Sequence, residues 1–131
     1  MFLLFIPAPF IYFQMKMLRE RIKWVRIADS EDEIRARING RDIHVFEVGM
    51  RHYAAAIRPN GELVVFRDRC PHQGYSFKGG VCVEDDRLVC PIHRYSFDCE
   101  KGQGAGLAVL IYLLKETEEG LMAGRKVMSL F

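Results

Sequence analysis

Residues 70–97 read CPHQGYSFKGGVCVEDDRLVCPIHRYSF, a stretch that contains two short cysteine–histidine motifs. The first is Cys70-Pro71-His72, and the second, after 17 intervening residues, is Cys90-Pro91-Ile92-His93. Because only one or two residues separate each cysteine from its histidine, each motif can present a sulfur and an imidazole nitrogen on one side of a tight loop. We therefore interpret Cys70, His72, Cys90 and His93 as ligands of one metal centre.

A β-hairpin is predicted between the two motifs. Val81–Glu84 and Arg87–Val89 are short apolar-rich runs on either side of the turn residues Asp85-Asp86, a pattern typical of two antiparallel strands. Such a hairpin would bring the motifs side by side, so that the four ligands converge. Three glycines in this stretch permit sharp bends and let the backbone approach a bulky inorganic group closely: Gly74, Gly79 and Gly80.

The rest of the chain predicts one small all-β domain. Half of its 131 residues are hydrophobic and 27% are charged, which is typical of a folded globular protein. Turn signals such as Asn39-Gly40 recur between short runs rich in Val, Ile, Phe and Tyr, as in β-sandwiches and barrels. The formal net charge of +2 and the lack of a basic stripe argue against nucleic acid as a partner.

A hairpin is predicted at Asn39-Gly40, and a helix start is predicted at Ser30. A two-residue turn at Asn39-Gly40 would place Ala36 opposite Ile43 and Ile34 opposite Val45, with most apolar side chains on one face. Ser30 to Glu33 has the spacing of a capping box. The alternation that begins at Ile34 leaves room for about one helical turn.

The two-loop motif resembles the Rieske family of iron–sulfur proteins, over roughly Trp24 to Val127. The resemblance rests on the spacing C-x-H-x17-C-x2-H, on the proline after each cysteine, on Gly74 and on the aromatic Phe97. It implies a Rieske-like antiparallel β-sandwich or barrel, with a small cluster-binding subdomain formed by two loops.

The resemblance also implies one Rieske-type 2Fe-2S cluster. Cys70 and Cys90 would hold the inner iron as thiolates, and His72 and His93 would hold the outer iron through ring nitrogens. Two neutral imidazoles make the site less negative than four thiolates, so the reduction potential is expected to exceed that of an all-cysteine ferredoxin. No catalytic residue is predicted.

A potential near the low end of the Rieske range is expected. High-potential members have an additional cysteine in each loop, where this chain has Tyr75 and Ile92. They also have a serine and a tyrosine whose hydroxyls donate hydrogen bonds to sulfur, where this chain has Tyr95 and Phe97. Fewer donors leave the reduced state less stabilised.

These features resemble the ferredoxin components that carry electrons from a flavin reductase to an oxygenase. The chain has no histidine after His93, and so lacks the two-histidine, one-carboxylate iron site expected of an oxygenase catalytic subunit. The expected function is therefore that of a non-catalytic electron-transfer component. The small subunit of a nitrite-reductase-like complex, a Cys2His2 zinc-stabilised binding module and a redox sensor remain alternatives.

The N-terminus is unusually apolar. Residues 1–13 contain no charge and are too short for a transmembrane helix, and no Lys or Arg precedes Lys16. We expect an apolar extension at 1–16, a Rieske domain at 17–131 and a cytoplasmic protein. Residues 107–114 predict an apolar strand, which together with the extension would form a surface for a homo-oligomer.

The other cysteines and histidines are not predicted to bind the metal, and the other loop residues are expected to surround it. Cys82 and Cys99 lie outside the ligand spacing and are predicted to be buried thiols. His44 and His52 are isolated among strand residues and are not predicted ligands. Residues in or beside the two loops are expected to form a rim on which redox partners dock: Gln73, Tyr75, Lys78 and Arg94.

Overall fold

The computed structural model describes residues 18–130, which form eleven strands and one helix. The elements are, in chain order, β1 (Leu18–Ala28), α1 (Glu31–Arg37), β2 (His44–Val48), β3 (Arg51–Ile57), β4 (Leu63–Arg67), β5 (Val81–Val83), β6 (Arg87–Val89), β7 (Ser96–Asp98), β8 (Gln103–Gly104), β9 (Leu107–Ala108), β10 (Leu113–Thr117) and β11 (Gly120–Leu130).

The strands form three antiparallel three-stranded sheets. The terminal sheet has the order β1-β11-β10, the middle sheet β2-β3-β4 and the small sheet β5-β6-β7, while β8 and β9 form a short ribbon. The small sheet lies between β4 and β8 in sequence, and the two cysteine–histidine loops adjoin its strands. The predicted all-β fold with a small two-loop subdomain is confirmed.

The middle sheet is buried on both faces, which explains its nearly continuous apolar strands. Successive side chains of a strand point to opposite faces. Ala54 and Ala56 of β3 accordingly pack in the core that contains the four cysteines, whereas Tyr53 and Ala55 pack in a second core with residues of β1 and β11. The four residues are at most 1% exposed. The middle sheet therefore joins the cluster-binding subdomain to the terminal sheet.

The predicted hairpin at Asn39-Gly40 is wrong, because residues 31–37 are helical. The Ser30 hydroxyl accepts a hydrogen bond from the Glu33 N–H, and Glu31 and Glu33 each form an ion pair with the arginine four residues later. These interactions favour a helix, and Ile34 becomes its fully buried residue. The helix extends over seven residues, about two turns instead of one.

The chain after α1 pairs with the small sheet instead. Asp42 forms an isolated bridge with Val81, and the N–H of Ile43 donates to the carbonyl of Gly80 at 3.0 Å. Ile43 is buried in the core that contains the cysteines. This long-range pairing replaces the local hairpin that the sequence alternation predicted.

Residues 107–114 do not form the continuous strand predicted for them. β9 ends at Ala108, Ile111 forms an isolated bridge with Phe66, and β10 begins at Leu113. Val109 and Ile111 pack against the core with the cysteines, and Tyr112 and Leu114 against the other core. Packing within the chain thus explains most of the segment's apolar character, while Leu107 and Leu113 stay 38% and 42% exposed.

The apolar N-terminal extension, residues 1–16, lies outside the described residues. Its boundary with a domain at 17–131 and its part in a homo-oligomer therefore stay predictions. Within residues 18–130, no helix is long and apolar enough to cross a membrane.

An ion pair fixes the small sheet to the middle sheet. Arg58, directly after β3, donates from Nε and Nη2 to the two carboxylate oxygens of Asp86, at 3.0 and 2.6 Å. Asp86 lies in the turn between β5 and β6 with a positive φ of 63°, a conformation that Asp and Asn tolerate better than most residues. The hydrogen bonds from Arg58 hold the pKa of Asp86 below its ordinary value.

We predict that Asp86→Asn lowers the free energy of unfolding at pH 7 by roughly 0.5–1 kcal/mol. A carboxyl group with a lowered folded-state pKa stabilises the protein above its unfolded pKa of about 4, and this contribution is lost as pH falls through the folded-state value. The difference between wild type and variant should therefore shrink toward pH 2–3. Urea unfolding across that pH range measures it.

Asp85→Asn is the matched control, because Asp85 lies in the same turn and forms no ion pair with the side chains described at 21–127. Equal losses for the two variants at pH 7 would mean that the Arg58–Asp86 pair contributes nothing specific.

Candidate metal centre

The two cysteine–histidine loops have the same backbone construction. The N–H of Cys70 donates to the carbonyl of Tyr75 at 2.7 Å, and the N–H of Cys90 donates to the carbonyl of Tyr95 at 2.8 Å. Four residues after each cysteine the backbone is left-handed, at Gly74 (φ 78°) and at Arg94 (φ 58°). Each loop is therefore a closed turn that holds its cysteine and its histidine in a fixed relation.

The small sheet brings the two loops together. Val81 pairs with Val89 directly before Cys90, and the register continues to Val83 opposite Arg87, which confirms the predicted hairpin. Gly80 makes the approach between the loops close, because a Cβ added there would lie 2.3 Å from the carbonyl oxygen of Val89. The ends of the loops are thus fixed by strand pairing and by a contact that only glycine permits.

Asp68 closes the first loop. Its carboxylate accepts hydrogen bonds from the Ser76 hydroxyl and from the N–H of Phe77, both at 2.6 Å. Because Asp68 precedes Cys70 and the two donors follow His72, these bonds tie the start of the loop to its end. Sequence analysis missed this role, although an aspartate beside a serine- and glycine-rich loop is a common turn-forming signal.

The four predicted ligands differ in exposure. Cys70 and Cys90 are each 2% exposed, whereas His72 is half-buried and His93 is exposed. The two imidazole rings lie with their centroids 5.5 Å apart and nearly perpendicular, at 82°. The structure therefore brings all four residues to one end of the small sheet, with sulfurs inside and imidazoles at the surface.

Charge effects at the cysteines fit a positively charged metal. Burial raises the pKa of the Cys70 thiol, and the neighbouring Cys90 thiol raises it further. The backbone amides of His72 and Gln73 act in the opposite direction, because they face the sulfur and favour its thiolate. Two buried thiolates without a cation would repel each other, whereas a bound metal would compensate their charge and the amides would remain as donors to sulfur.

Aromatic side chains surround the thiols and one imidazole. Phe77 and Phe97 are fully buried and stand edge-to-face, with ring centroids 6.2 Å apart. The ring of Tyr95 packs against His72, with centroids 4.0 Å apart. The sequence did not predict this ring contact, because it depends on how the two loops pack against each other.

The geometry argues against a single zinc ion in the loops. Ligand atoms at about 2.0–2.3 Å from one zinc ion would lie within about 4 Å of one another. Among the side chains described at 21–127, however, the group of three or more such residues whose ligand atoms all lie within 4.8 Å comprises Cys82, Asp86 and Cys99 and includes none of the loop residues. A wider spacing fits a two-iron cluster, in which inner and outer ligands bind different irons.

Cys82 and Cys99 are buried thiols, as predicted. They are each 1% exposed, with their sulfurs 3.5 Å apart. The contact with Cys82 and burial raise the pKa of Cys99, which favours a neutral thiol there. Asp86 already accepts two hydrogen bonds from Arg58, so this group is accounted for by contacts within the protein.

The remaining histidines lie outside the loops. His44 stacks on Phe46 within β2, with ring centroids 5.7 Å apart. His52 of β3 lies 3.2 Å from the Glu47 carboxylate, measured from Nδ1 to Oε1. Both positions agree with the interpretation of these side chains as ordinary strand histidines.

Residues 23–108 match the family model of the Rieske 2Fe-2S domain. The chain belongs to the Rieske family. Membership implies one 2Fe-2S cluster, and the two buried thiols and two surface imidazoles form a donor set that fits it.

Several characterised proteins are similar to this Rieske chain. The ferredoxin component of the alkene monooxygenase system of Xanthobacter autotrophicus is 35% identical over 63 residues, which are 48% of this chain and 51% of that protein. The chain thus matches about half the length of this relative.

Solved structures share the fold at lower identity. The ferredoxin of carbazole 1,9a-dioxygenase from Nocardioides aromaticivorans has a TM-score of 0.58 and 19% identity, covering 78% of this chain and 96% of its own. A nitrite reductase small subunit from Mycobacterium tuberculosis, itself described as putative and NADH-dependent, has a TM-score of 0.60 and 15% identity, covering 80% and 96%.

We predict that Asp68→Ala shortens the lifetime of the bound cluster. Without the carboxylate, the Ser76 hydroxyl and the Phe77 N–H lose their acceptor and the first loop opens more often. The decay of visible absorbance in air, followed by iron release to a chelator, measures the lifetime.

Asp98→Ala is the control, because Asp98 accepts hydrogen bonds from the N–H groups of Lys101 and Gln103 in a turn that contains no predicted ligand. If both variants lose the cluster at the same rate, general destabilisation explains the effect and the role of Asp68 at the loop is disproved.

Proposed function

We propose that Cys70, His72, Cys90 and His93 hold the 2Fe-2S cluster and that the protein is a one-electron carrier. The observation that supports this most strongly is the exposure gradient, from two sulfurs buried at 2% to one half-buried and one exposed imidazole. When bound, the cluster accepts and releases a single electron.

The protein side chains would perform two tasks. The buried cysteines, enclosed by Phe77 and Phe97, keep water from the inner side of the site. The imidazoles of His72 and His93 reach the surface and give a partner a short route to the metal. The stacking of Tyr95 on His72 restricts the orientation of that ring.

A low reduction potential for this family is part of the proposal. Phe97 is fully buried and has no hydroxyl to donate to sulfur. Tyr75 and Ile92 exclude a disulfide at their positions, and both are about half exposed. With fewer donors to the sulfurs, the potential is expected in the lower part of the range from about −150 to +300 mV.

An oxygenase system is the proposed setting. The relative from Xanthobacter is the ferredoxin component of an alkene monooxygenase system, and it is 35% identical in the matched region. By analogy, this protein would receive electrons from a flavin reductase and deliver them to an oxygenase component in the cytoplasm. Mixing it with such a reductase and an oxygenase that lacks its own ferredoxin should restore turnover.

A nitrite-reductase-type complex is the second candidate. The small subunit from Mycobacterium tuberculosis has a TM-score of 0.60, compared with 0.58 for the dioxygenase ferredoxin, so the fold alone does not discriminate between them. A stable complex with a large reductase subunit, and no electron delivery to an oxygenase, would favour this candidate.

The surface around His72 and His93 is the proposed docking rim. The predicted rim residues Gln73, Tyr75, Lys78 and Arg94 are all exposed, and Ile92 is 47% exposed. Exposed apolar side chains beside a functional group are typical of contact surfaces. A homo-oligomer through residues 1–16 and the exposed part of 107–114 stays a separate prediction, which solution mass with and without residues 1–14 would test.

We predict that Cys70→Ser and Cys90→Ser abolish cluster binding, whereas His72→Cys and His93→Cys lower the potential or lose the cluster. Removing a thiolate removes a metal ligand, and replacing an imidazole with a thiolate adds negative charge. Iron content, visible absorbance and redox titration measure these effects.

The chain supplies matched controls of the same residue types. Cys82→Ser and Cys99→Ser change equally buried thiols, and His52→Cys changes a strand histidine. All three should retain iron, the spectrum and the potential. Retention of an unchanged spectrum and potential by any of the four ligand variants would remove that residue from the ligand set.

A further inference from the structure

A pocket of about 450 Å³ opens beside the first cysteine–histidine loop. Its wall includes the ends of β3 and β4, the Leu110–Tyr112 segment, β11 and Gly74 of the loop. The charged residues that line it are Arg51, Arg67, Asp68, Arg69 and Arg125, and His52 and Tyr112 also line it. Four arginines thus line one cavity in a chain whose whole net charge is +2.

No ion pair joins any of these four arginines to an acidic residue within 21–127, the part of the chain whose side chains the structure describes. Asp68 is the acidic residue in the wall, and its carboxylate is already bonded to the Ser76 hydroxyl and the Phe77 N–H. His52 lies against Glu47. A net excess of positive charge therefore remains in the pocket.

Arg125 and Tyr112 show that the charges converge. The Nε of Arg125 is shut off from solvent and has no hydrogen-bond partner, which is unfavourable for part of a charged group. Burial raises the pKa of Tyr112, and Arg67, Arg125 and Arg51 oppose that rise. Three of the arginines therefore act on one hydroxyl in the pocket wall.

Concentrated like charges in a concave site are complementary to an anion. We propose that this pocket binds a small oxyanion with at least two negative charges, of the diphosphate or polycarboxylate class. The planar fork of a guanidinium group matches the oxygens of phosphate and carboxylate in bidentate contacts. The volume lies in the range of small-molecule sites, about 300–1,000 Å³.

The position of the pocket connects it to the cluster. Arg69 directly precedes Cys70, and its guanidinium lies beside Gly74, since a Cβ added there would be 3.4 Å from its Nε and Nη2. A bound anion would place negative charge next to the first loop. If the loop holds the cluster, as proposed above, this charge disfavours an additional electron and lowers the reduction potential.

Isothermal titration calorimetry of the cluster-loaded protein with inorganic pyrophosphate, and separately with citrate, tests the pocket at fixed ionic strength. We expect saturable binding with one site per chain. Arg51→Gln/Arg67→Gln, which changes two exposed arginines of the pocket, should weaken it by about tenfold or more. Arg125→Gln alone should also weaken it, and thermal unfolding checks that each variant is folded.

Arg21→Gln/Arg41→Gln is the control, because it removes the same charge from exposed residues outside the pocket. Binding of pyrophosphate alone identifies a phosphate ligand, and binding of citrate alone identifies a carboxylate ligand. Absence of saturable binding by both anions overturns the proposal. An equal loss of affinity in the control pair also overturns it, because it means that general charge attraction, and not the pocket, binds the anion.

A redox titration with and without pyrophosphate separates this site from the proposed function. A downward shift in wild type that is absent from Arg51→Gln/Arg67→Gln supports the link to the cluster. Anion binding without a shift leaves the pocket established and removes only its effect on the potential.

Discussion

Two buried sulfurs at the ends of two matching turns are the constraint on which the rest of this structure depends. Burial and the neighbouring Cys90 thiol raise the pKa of the Cys70 thiol, and both thiols are almost fully enclosed. Thiolates in such a place require a cation nearby. The short strands, the glycine contact between loops and the aromatic enclosure all serve to hold these sulfurs together and away from water.

The middle sheet transmits that constraint to the rest of the domain. Its strands are buried on both faces, so the cluster-binding subdomain and the terminal sheet share one structural layer. The ion pair between Arg58 and Asp86 adds a polar link between the middle sheet and the small sheet. The imidazoles, in contrast, lie where the enclosure ends. The site is thus closed to water on its inner side and open to partners on its outer side. This arrangement is expected of a protein that transfers electrons at its surface.

The sequence predicted the local structure of residues 70–97 better than the fold around it. Ligand spacing is local, so the loops and the β5–β6 hairpin could be derived from residues 70–97 alone. The alternation after Ile34 was misinterpreted, because ion pairs at a spacing of four residues and a capped N-terminus favour a helix there. The apolar run at 107–114 was predicted to form one strand, but its side chains pack into two different cores and this divides it. Such long-range contacts leave no local pattern in the sequence. The closure of the first loop by Asp68 and the convergence of four arginines likewise depend on residues distant in sequence.

Whether this protein carries an electron on a 2Fe-2S cluster is best tested by an electron paramagnetic resonance titration of protein purified without oxygen, combined with metal and sulfide analysis. We expect two irons and two acid-labile sulfides per chain, and one reversible electron that produces the signal of a histidine-ligated 2Fe-2S cluster. A colourless protein that contains one zinc ion and remains silent on reduction would contradict this expectation.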